Sequence, residues 1–292
     1  MIAVAGATGY IGGLLCRRLC GDGVQVRALA RHPERANDLK QEGCEVRRAD
    51  VLEPETLGPA LGGAAVAYYL VHAMGRGANG DFADRDRQGA ENFAAAAAAA
   101  GVGRIVYLGG LGEGSKHLDS RHATAQVLGE GDVPVAYLRA AAVLGGGSES
   151  FRTVFYLVRR LPVMVTPRWV KTRTQPIAVG DAVAYLAAAA DLSVPADREI
   201  QIGGPDLTTY GGMIDELARA LGRRRPLRIT VPVLTPALSS LWIGLVTPVD
   251  AGVARPLIEG LSTETVVADP SGMELFPGID RTSLQVALRE AV

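Results

Sequence analysis

The chain predicts an α/β fold, a doubly wound parallel sheet flanked by helices with a smaller mixed C-terminal lobe. Three observations predict it. Apolar strand-like runs alternate with helical patterns through the first half. The first connection between such a pair is rich in glycine. The 292 residues are 48% hydrophobic, enough to bury one large core.

Met1 to Ala5 reads as a short buried strand, and Tyr10 to Cys20 as a helix with Ile11, Leu14, Leu15 and Leu19 on one face. Between them stands Gly6-Ala7-Thr8-Gly9-Tyr10-Ile11-Gly12. Glycine there permits a tight turn, lets backbone N–H groups approach a pyrophosphate, and allows the helix to pack closely on the sheet. A glycine triplet alone is a weak signal. Its place between a first strand and an amphipathic helix makes it a Rossmann-like dinucleotide clamp.

Val24 to Ala30 forms the second strand and ends at Arg31, nineteen residues beyond Gly12, where an NAD-selective protein places a carboxylate. Here the residues are Arg31-His32-Pro33-Glu34-Arg35. A guanidinium holds a 2′-phosphate through paired charged hydrogen bonds, so the expected cofactor is NADP(H). The alternative is that Arg31 and Arg35 are solvated charges with Glu34 as their partner. Val46 to Ala49 makes a third strand ending in Asp50-Val51, and Ala64 to Val71 a fourth ending in Leu70-Val71-His72. Ligands collect at the carboxyl ends of such strands, which places Asp50 near the adenine amine and Leu70, Val71 and His72 beside its ribose.

Helical segments are expected near Pro33 to Gln41, Pro54 to Leu61, Asp81 to Ala100 and Ser120 to Glu130. The alanine run from Ala94 to Ala100 favours a helix lying close to the sheet, and Gly101 stops it. Ile105 to Leu108 and Val133 to Leu138 supply the fifth and sixth strands. After about Gly147 the alternation weakens. Helical patterns at Phe151 to Leu161, Asp181 to Ala190, Tyr210 to Leu221 and Ser283 to Ala291 mix with short strands at Glu199 to Ile202 and Leu227 to Val231. The expected organisation is a dinucleotide-binding domain over 1–147 and a substrate-side region over 148–292, partly interwoven with the first.

The formal net charge is −1, and dispersed Lys and Arg residues argue against a nucleic-acid partner. Cys16, Cys20 and Cys44 have no metal-ligand spacing, no metal site is expected, and their odd number argues against a disulfide framework. Reduced thiols and a cytoplasmic location follow as expectations, with no signal-peptide pattern ahead of the first strand. Ile229 to Val249 carries no formal charge over a length that nominally spans a bilayer. Pro232, Pro236 and Pro248 favour a bent, buried or pocket-lining segment; a peripheral membrane contact through Leu238, Leu241, Trp242, Ile243 and Leu245 is the alternative.

With Gly-Ala-Thr-Gly-Tyr-Ile-Gly, Arg31, Asp50-Val51, Tyr69-Leu70-Val71-His72, the Asn92 helix and Arg104-Ile105-Val106-Tyr107-Leu108, the chain resembles the extended and atypical short-chain dehydrogenase/reductase superfamily. Leu161 to Met164, Thr166 to Val170, Gln175 to Ala178 and Ile202 to Pro205 are similar to its NmrA-like NAD(P)H-binding branch, with a DUF2867-type C-terminal segment. The resemblance implies a cofactor cleft in which Gly109, Arg121 and Ala140 join the clamp, the stretch Leu138 to Gly145 facing nicotinamide. It also implies a serine at the end of the fifth strand and a Tyr-x-x-x-Lys pair opening the next helix. This chain has Gly109-Gly110 at the first place and His117-Leu118-Asp119-Ser120-Arg121 at the second, so His117 stands in the tyrosine-like position and Arg121 in the lysine-like one. Histidine donates a proton near neutral pH and arginine polarises a carbonyl, which makes these two the candidate catalytic pair. The competing readings are a polar loop residue and a surface helix charge. Ser120 is expected to cap the helix. Gly145 to Ser148 reads as a lip over the site or a turn, and Arg168, Trp169 and Arg173 as the wall for a flat aromatic or quinone-like ligand, or as packing and surface groups.

Three functions stay open: an NADP(H)-dependent reductase passing hydride to a carbonyl, quinone-like or conjugated acceptor; a redox sensor that binds NADP(H) without turnover; and a non-redox enzyme on the same scaffold. The chain is expected to act as a monomer or homodimer on a small-molecule substrate.

Overall fold

The computed structural model describes residues 1–72, 82–166, 168–230 and 262–292. Seven parallel strands form the main sheet: β1 (Ile2–Ala5), β2 (Val26–Ala30), β3 (Glu45–Arg48), β4 (Val66–Tyr69), β5 (Arg104–Gly110), β6 (Val135–Ala140) and β11 (Glu199–Ile202). Their order is β11-β6-β5-β4-β1-β2-β3, so the winding reverses between β1 and β4. The register Ile2↔Val26 and Ile2↔Val66 aligns the ends of β2, β1 and β4. All four β1 residues and all four β4 residues are buried, as a strand covered on both faces requires.

Helices α1 (Tyr10–Gly21) and α7 (Val179–Ala188) cover one face of the sheet. On the other lie α3 (Pro54–Leu61), α4 (Phe82–Ala99) and α5 (Lys116–Gly129), while the short α2 (Asn37–Gln41) packs its Leu39 on the α1 side. Small residues let α4 come close: Ala90, Ala94 and Ala97 are buried, and Gly101 leaves the helix at φ +72°. Aromatic rings run across the α4 side of the sheet. Phe93 meets Tyr69 at 5.0 Å, Tyr69 meets Tyr107 at 6.1 Å, and Tyr107 stacks on Tyr137 at 5.4 Å.

The second half adds β7 (Val143–Leu144), α6 (Glu149–Arg160), β8 (Val163–Thr166), β9 (Arg173–Thr174), β10 (Ile177–Ala178), β12 (Thr208–Thr209), α8 (Tyr210–Ala220), β13 (Leu227–Thr230) and α9 (Leu284–Ala291). The pairs β10-β7, β12-β9 and β13-β8 stand outside the main sheet, while α6, α8 and α9 share a separate apolar cluster around Leu217 and Leu288. The chain is nevertheless stitched across its halves, since β11 from the second half closes one sheet edge. Among the described residues no helix is long and apolar enough to cross a membrane. Of the uncharged stretch from Ile229 only the first two residues are described, and the membrane contact expected from Leu238 to Leu245 lies outside the described residues.

Two local expectations are corrected. The helix over Pro33 to Gln41 is a 3₁₀ turn, Pro33–Ala36, followed by α2. Helix α5 begins four residues before Ser120, because Ser115 is its cap and accepts a hydrogen bond from the Leu118 amide at 3.2 Å. His117 is therefore in the first turn of α5 rather than in a loop ahead of it.

Arg104, at the start of β5, is 2% exposed and ties the sheet to the loop after α7. Its guanidinium donates to the carbonyls of Ala189 at 3.0 Å, Asp191 at 2.7 Å and Val194 at 2.8 Å, and pairs with Asp197. Removing it strands three carbonyls, so Arg104→Ala should cost about 3 kcal/mol or more in urea denaturation. A loss below about 1 kcal/mol contradicts this assignment.

Candidate functional site

The crevice at the carboxyl ends of β1 and β4 lies where the strand order reverses, the place at which open α/β sheets bind ligands. The backbone is closest here. Gly6 has φ +86°, and a Cβ on it would lie 2.5 Å from the Leu70 carbonyl oxygen. A Cβ on Gly12 would overlap the Gly6 carbonyl oxygen. Both glycines are thus required by the fold itself.

Gly9 differs. Its φ of −81° suits any residue, and a Cβ there would meet only the Gly6 oxygen, at 3.2 Å. Thr8 and Gly9 are exposed at the tip of the turn, while Ala7 is buried under it. Gly9 caps α1 without a side-chain hydrogen bond, and the first turn of α1 holds no acidic residue. The first-turn amides of Tyr10, Ile11 and Gly12 have no partner within a helix, and the helix dipole adds positive potential. An exposed glycine, less crowded than Gly6 and Gly12, and an uncapped helix start fit a pyrophosphate.

Tyr10 extends the turn towards the second half: its ring fills the space that side chains at Gly145 and Gly147 would take. Arg31 is exposed at the end of β2. Glu34 lies 3.4 Å from His32 Nδ1, and no carboxylate pairs with Arg31 or Arg35 among the described residues. Asp50 receives the Leu52 amide on Oδ1 at 3.0 Å, and Asn92 donates to the Val51 carbonyl at 2.8 Å, which fixes the loop after β3. Leu70, Val71 and His72 leave β4 half-buried beside the clamp.

At the ends of β5 and β6 the residues the resemblance expects are replaced by bulk. A Cβ at Gly109 would lie 2.5 Å from Tyr137 Cε2 and 2.6 Å from its Oη, and one at Gly110 would lie 2.5 Å from Leu118 Cδ2. No serine fits at either position without repacking. Arg121 turns back over the sheet: Nη2 donates to the Leu108 carbonyl, the guanidinium lies 5.9 Å from the Tyr107 ring centre, and Nε is buried without a hydrogen-bond partner among the described residues. His72 Nδ1 is 3.6 Å from Asp86 Oδ2. Ala140 is buried at the end of β6, its carbonyl accepting the Leu111 amide at 2.8 Å.

Sequence reasoning missed a second polar group beside these. Tyr137 Oη lies 2.8 Å from His122 Nδ1, while Arg139 donates to the Gly110 and Gly112 carbonyls, each at 3.1 Å, and to Glu199 at 2.7 Å. No local pattern betrays it, because its members come from α5, β6 and β11. Arg173 is exposed, 3.9 Å from Glu264. The side chains of His117, Arg168 and Trp169 lie outside the described ones.

Burial pushes the Tyr107 and Tyr137 hydroxyls up, so both stay neutral phenols at neutral pH. That is opposite to the shift a proton-moving tyrosine needs. Burial pushes His72 down; Asp86 opposes this and the Arg121 charge reinforces it. The three cysteines gather at the far end of α1, with Cys20 Sγ 3.0 Å from Cys44 Sγ. Burial pushes the Cys44 thiol up to about 12 and Cys16 higher still, the behaviour of space-filling thiols. No group of three metal-ligating side chains forms among the described residues. A cleft of about 650 Å³ opens at the opposite end of the sheet, between α1, α7 and residues 276–280, where Arg18 and Asp22 neutralise each other at 2.7 Å.

The lowered His72 makes a pH prediction. The unfolded chain takes up its proton first as pH falls below about 6.5, so folding loses stability on acidification through that range. Urea denaturation should show a smaller stability loss between about pH 7.5 and 5.5 in His72→Gln than in the unaltered chain. Equal losses contradict a buried, neutral His72.

The profile of the NAD(P)H-binding family matches residues 6–145, just under half of the chain. Ceramide reductase of Caulobacter vibrioides (strain NA1000 / CB15N) is 29% identical over 265 residues, covering 87% of this chain and 82% of that protein. The fold is similar to that of Citrobacter sp. triphenylmethane reductase complexed with NADP(H), with a TM-score of 0.78 and 20% identity over 100% of this chain and 99% of that one. An NADPH-dependent quinone oxidoreductase of Escherichia coli complexed with NADPH has a TM-score of 0.73 and 19% identity over 99% of this chain and 98% of that one. Residues 6–145 thus match the NAD(P)H-binding family model, on a chain whose fold is similar throughout to that of triphenylmethane reductase.

Proposed function

We propose that the protein is a cytoplasmic NADP(H)-dependent reductase that passes hydride to a carbonyl, quinone-like or conjugated acceptor. The carrying observation is Arg121, a guanidinium fixed on α5 beside the ends of β4 and β5 with a buried N–H to spare. Gly6 to Gly12 would hold the pyrophosphate, Arg31 the 2′-phosphate, Asp50 and Val51 the adenine, and Leu70 to His72 its ribose. Gly109 and Ala140, at the ends of β5 and β6, would belong to the nicotinamide end of the site. Residues 148–292, with the DUF2867-type segment the sequence resembles, supply the substrate side.

When bound, NADPH supplies the hydride. The Arg121 charge would stabilise an oxyanion developing on a carbonyl acceptor, at no reorganisation cost because Leu108 and Tyr107 already hold the guanidinium. His117, one helical turn before Arg121, delivers the proton that completes the alcohol. Neutral Tyr107 and Tyr137 take no part in proton transfer. Triphenylmethane reductase and quinone oxidoreductase, as fold neighbours, and ceramide reductase, as a sequence relative, support an apolar acceptor.

One observation favours the sensor reading. Tyr137 and Leu118 fill the place of the serine that the superfamily resemblance implies, which suits binding without that catalytic set.

Single-turnover mixing of the NADPH complex with a soluble naphthoquinone separates the two. A reductase oxidises bound NADPH in one exponential phase, and Arg121→Met slows it about 100-fold with a smaller change in cofactor affinity. No oxidation by quinones, aldehydes or enones, together with unequal affinities for NADPH and NADP⁺, overturns the reductase reading in favour of the sensor.

A further inference from the structure

The net charge of −1 conceals an uneven distribution. Residues 151–180 and 217–249 contain no Asp or Glu, although the chain has 31 of them. The fold brings the ends of these two stretches together. Strand β13 pairs with β8 in parallel, Leu227 opposite Val163, and the Leu227 amide donates to the Pro162 carbonyl at 3.0 Å. Arg223 donates to the carbonyl of Arg159, which joins the turn before β13 to the last turn of α6.

The outer face of this two-stranded sheet is apolar and, among the described residues, exposed: Val163 is 46% exposed, Leu227 63% and Ile229 51%. Its inner face is fastened, with Met164 buried and Arg228 paired to Asp215 at 2.8 Å. Arg159 and Arg160, just before β8, and the arginines at 223–225, just before β13, stand exposed together at the start of the two parallel strands, next to Val163 and Leu227. No carboxylate pairs with Arg159 or with the arginines at 223–225 among the described residues. Phe155 and Tyr156 lie under the Arg159 and Arg160 guanidiniums at 6.0 and 5.2 Å, holding the two charges at the helix end.

Guanidiniums gathered at one end of a row of exposed aliphatic side chains match a surface that is anionic outside and apolar beneath. We infer that the face formed by β8, β13 and the arginines at 159–160 and 223–225 docks on an anionic lipid bilayer, the aliphatic residues entering the headgroup–acyl boundary. The chemistry favours lipid over nucleic acid, because the exposed apolar groups are aliphatic and offer no ring for base stacking. It favours lipid over an acidic protein partner, since among the described residues the exposed apolar side chains of the face, Val163, Leu227 and Ile229, are all aliphatic rather than the aromatic anchors on which protein interfaces rely. The inference stands apart from the reductase reading, for none of these residues lies in the cofactor crevice.

The full chain is sedimented with vesicles of phosphatidylcholine alone, and with vesicles containing about one quarter phosphatidylglycerol, at roughly 0.1 M and 0.5 M salt. Binding is expected only to the anionic vesicles, and to fall with salt. Both R223E/R224E/R225E and R159E/R160E should bind at least about tenfold more weakly. L227S/I229S should lose vesicle binding while keeping any residual affinity for a single-stranded oligonucleotide or a polyglutamate peptide. Circular dichroism checks that each variant is folded. Absence of binding to anionic vesicles, equal binding to neutral ones, folded charge variants that bind unchanged, or binding to the oligonucleotide or polyglutamate as tight as to vesicles and indifferent to L227S/I229S overturns the inference.

Discussion

The cofactor end of the molecule depends on a backbone-to-backbone approach that leaves no room for a Cβ. Gly6 turns at φ +86° against the Leu70 carbonyl, and Gly12 lies against the Gly6 carbonyl. These contacts press the start of α1 onto the ends of β1 and β4, so the unsatisfied amides of its first turn face the reversal in strand order. Displacing that turn would move the helix end proposed to bind the anion away from Arg31 and His72, which follow β2 and β4. The same closeness lets Tyr10 reach Gly145 and Gly147, linking the clamp to the second half of the chain.

Around this fixed point the chemistry has been redistributed. The ends of β5 and β6 are packed with Tyr137 and Leu118, and burial holds the nearby phenols neutral. Charge enters instead through Arg121, anchored by the Leu108 carbonyl and the Tyr107 ring. A guanidinium that stays charged at any physiological pH supplies electrostatic stabilisation but no proton. An active site built on it needs a separate acid, which is why His117, at the same spacing on α5, carries that part of the proposal.

Much of the cofactor half was legible in the sequence because its signals are local. The glycines between a strand and a helix, the strand ends at Arg31 and His72, and the stop at Gly101 each follow from neighbouring residues. The start of α5 was not legible. Its first turn, Lys116-His117-Leu118-Asp119, has little apolar periodicity, so Ser120 looked like the cap that Ser115 in fact supplies. The place of β11 beside β6 was hidden too, since pairing across some sixty residues leaves no local trace. Likewise the arginines at 159–160 and 223–225 read as dispersed until β8 and β13 paired.

The central claim is that Gly6 and Gly12 serve the fold whereas Gly9 is kept open for a bound NADP(H) pyrophosphate. Calorimetric titration of the unaltered chain and of Gly9→Ala with NADPH and NADH tests it most directly. The account predicts one-to-one binding of NADPH to the unaltered chain, tens of fold tighter than NADH, or about 2 kcal/mol from the 2′-phosphate at Arg31. It also predicts a Gly9→Ala protein that loses less Tm than Gly6→Ala or Gly12→Ala and whose NADPH affinity falls at least about tenfold. No binding of either nucleotide to the unaltered chain, or undiminished binding to Gly9→Ala, would contradict it.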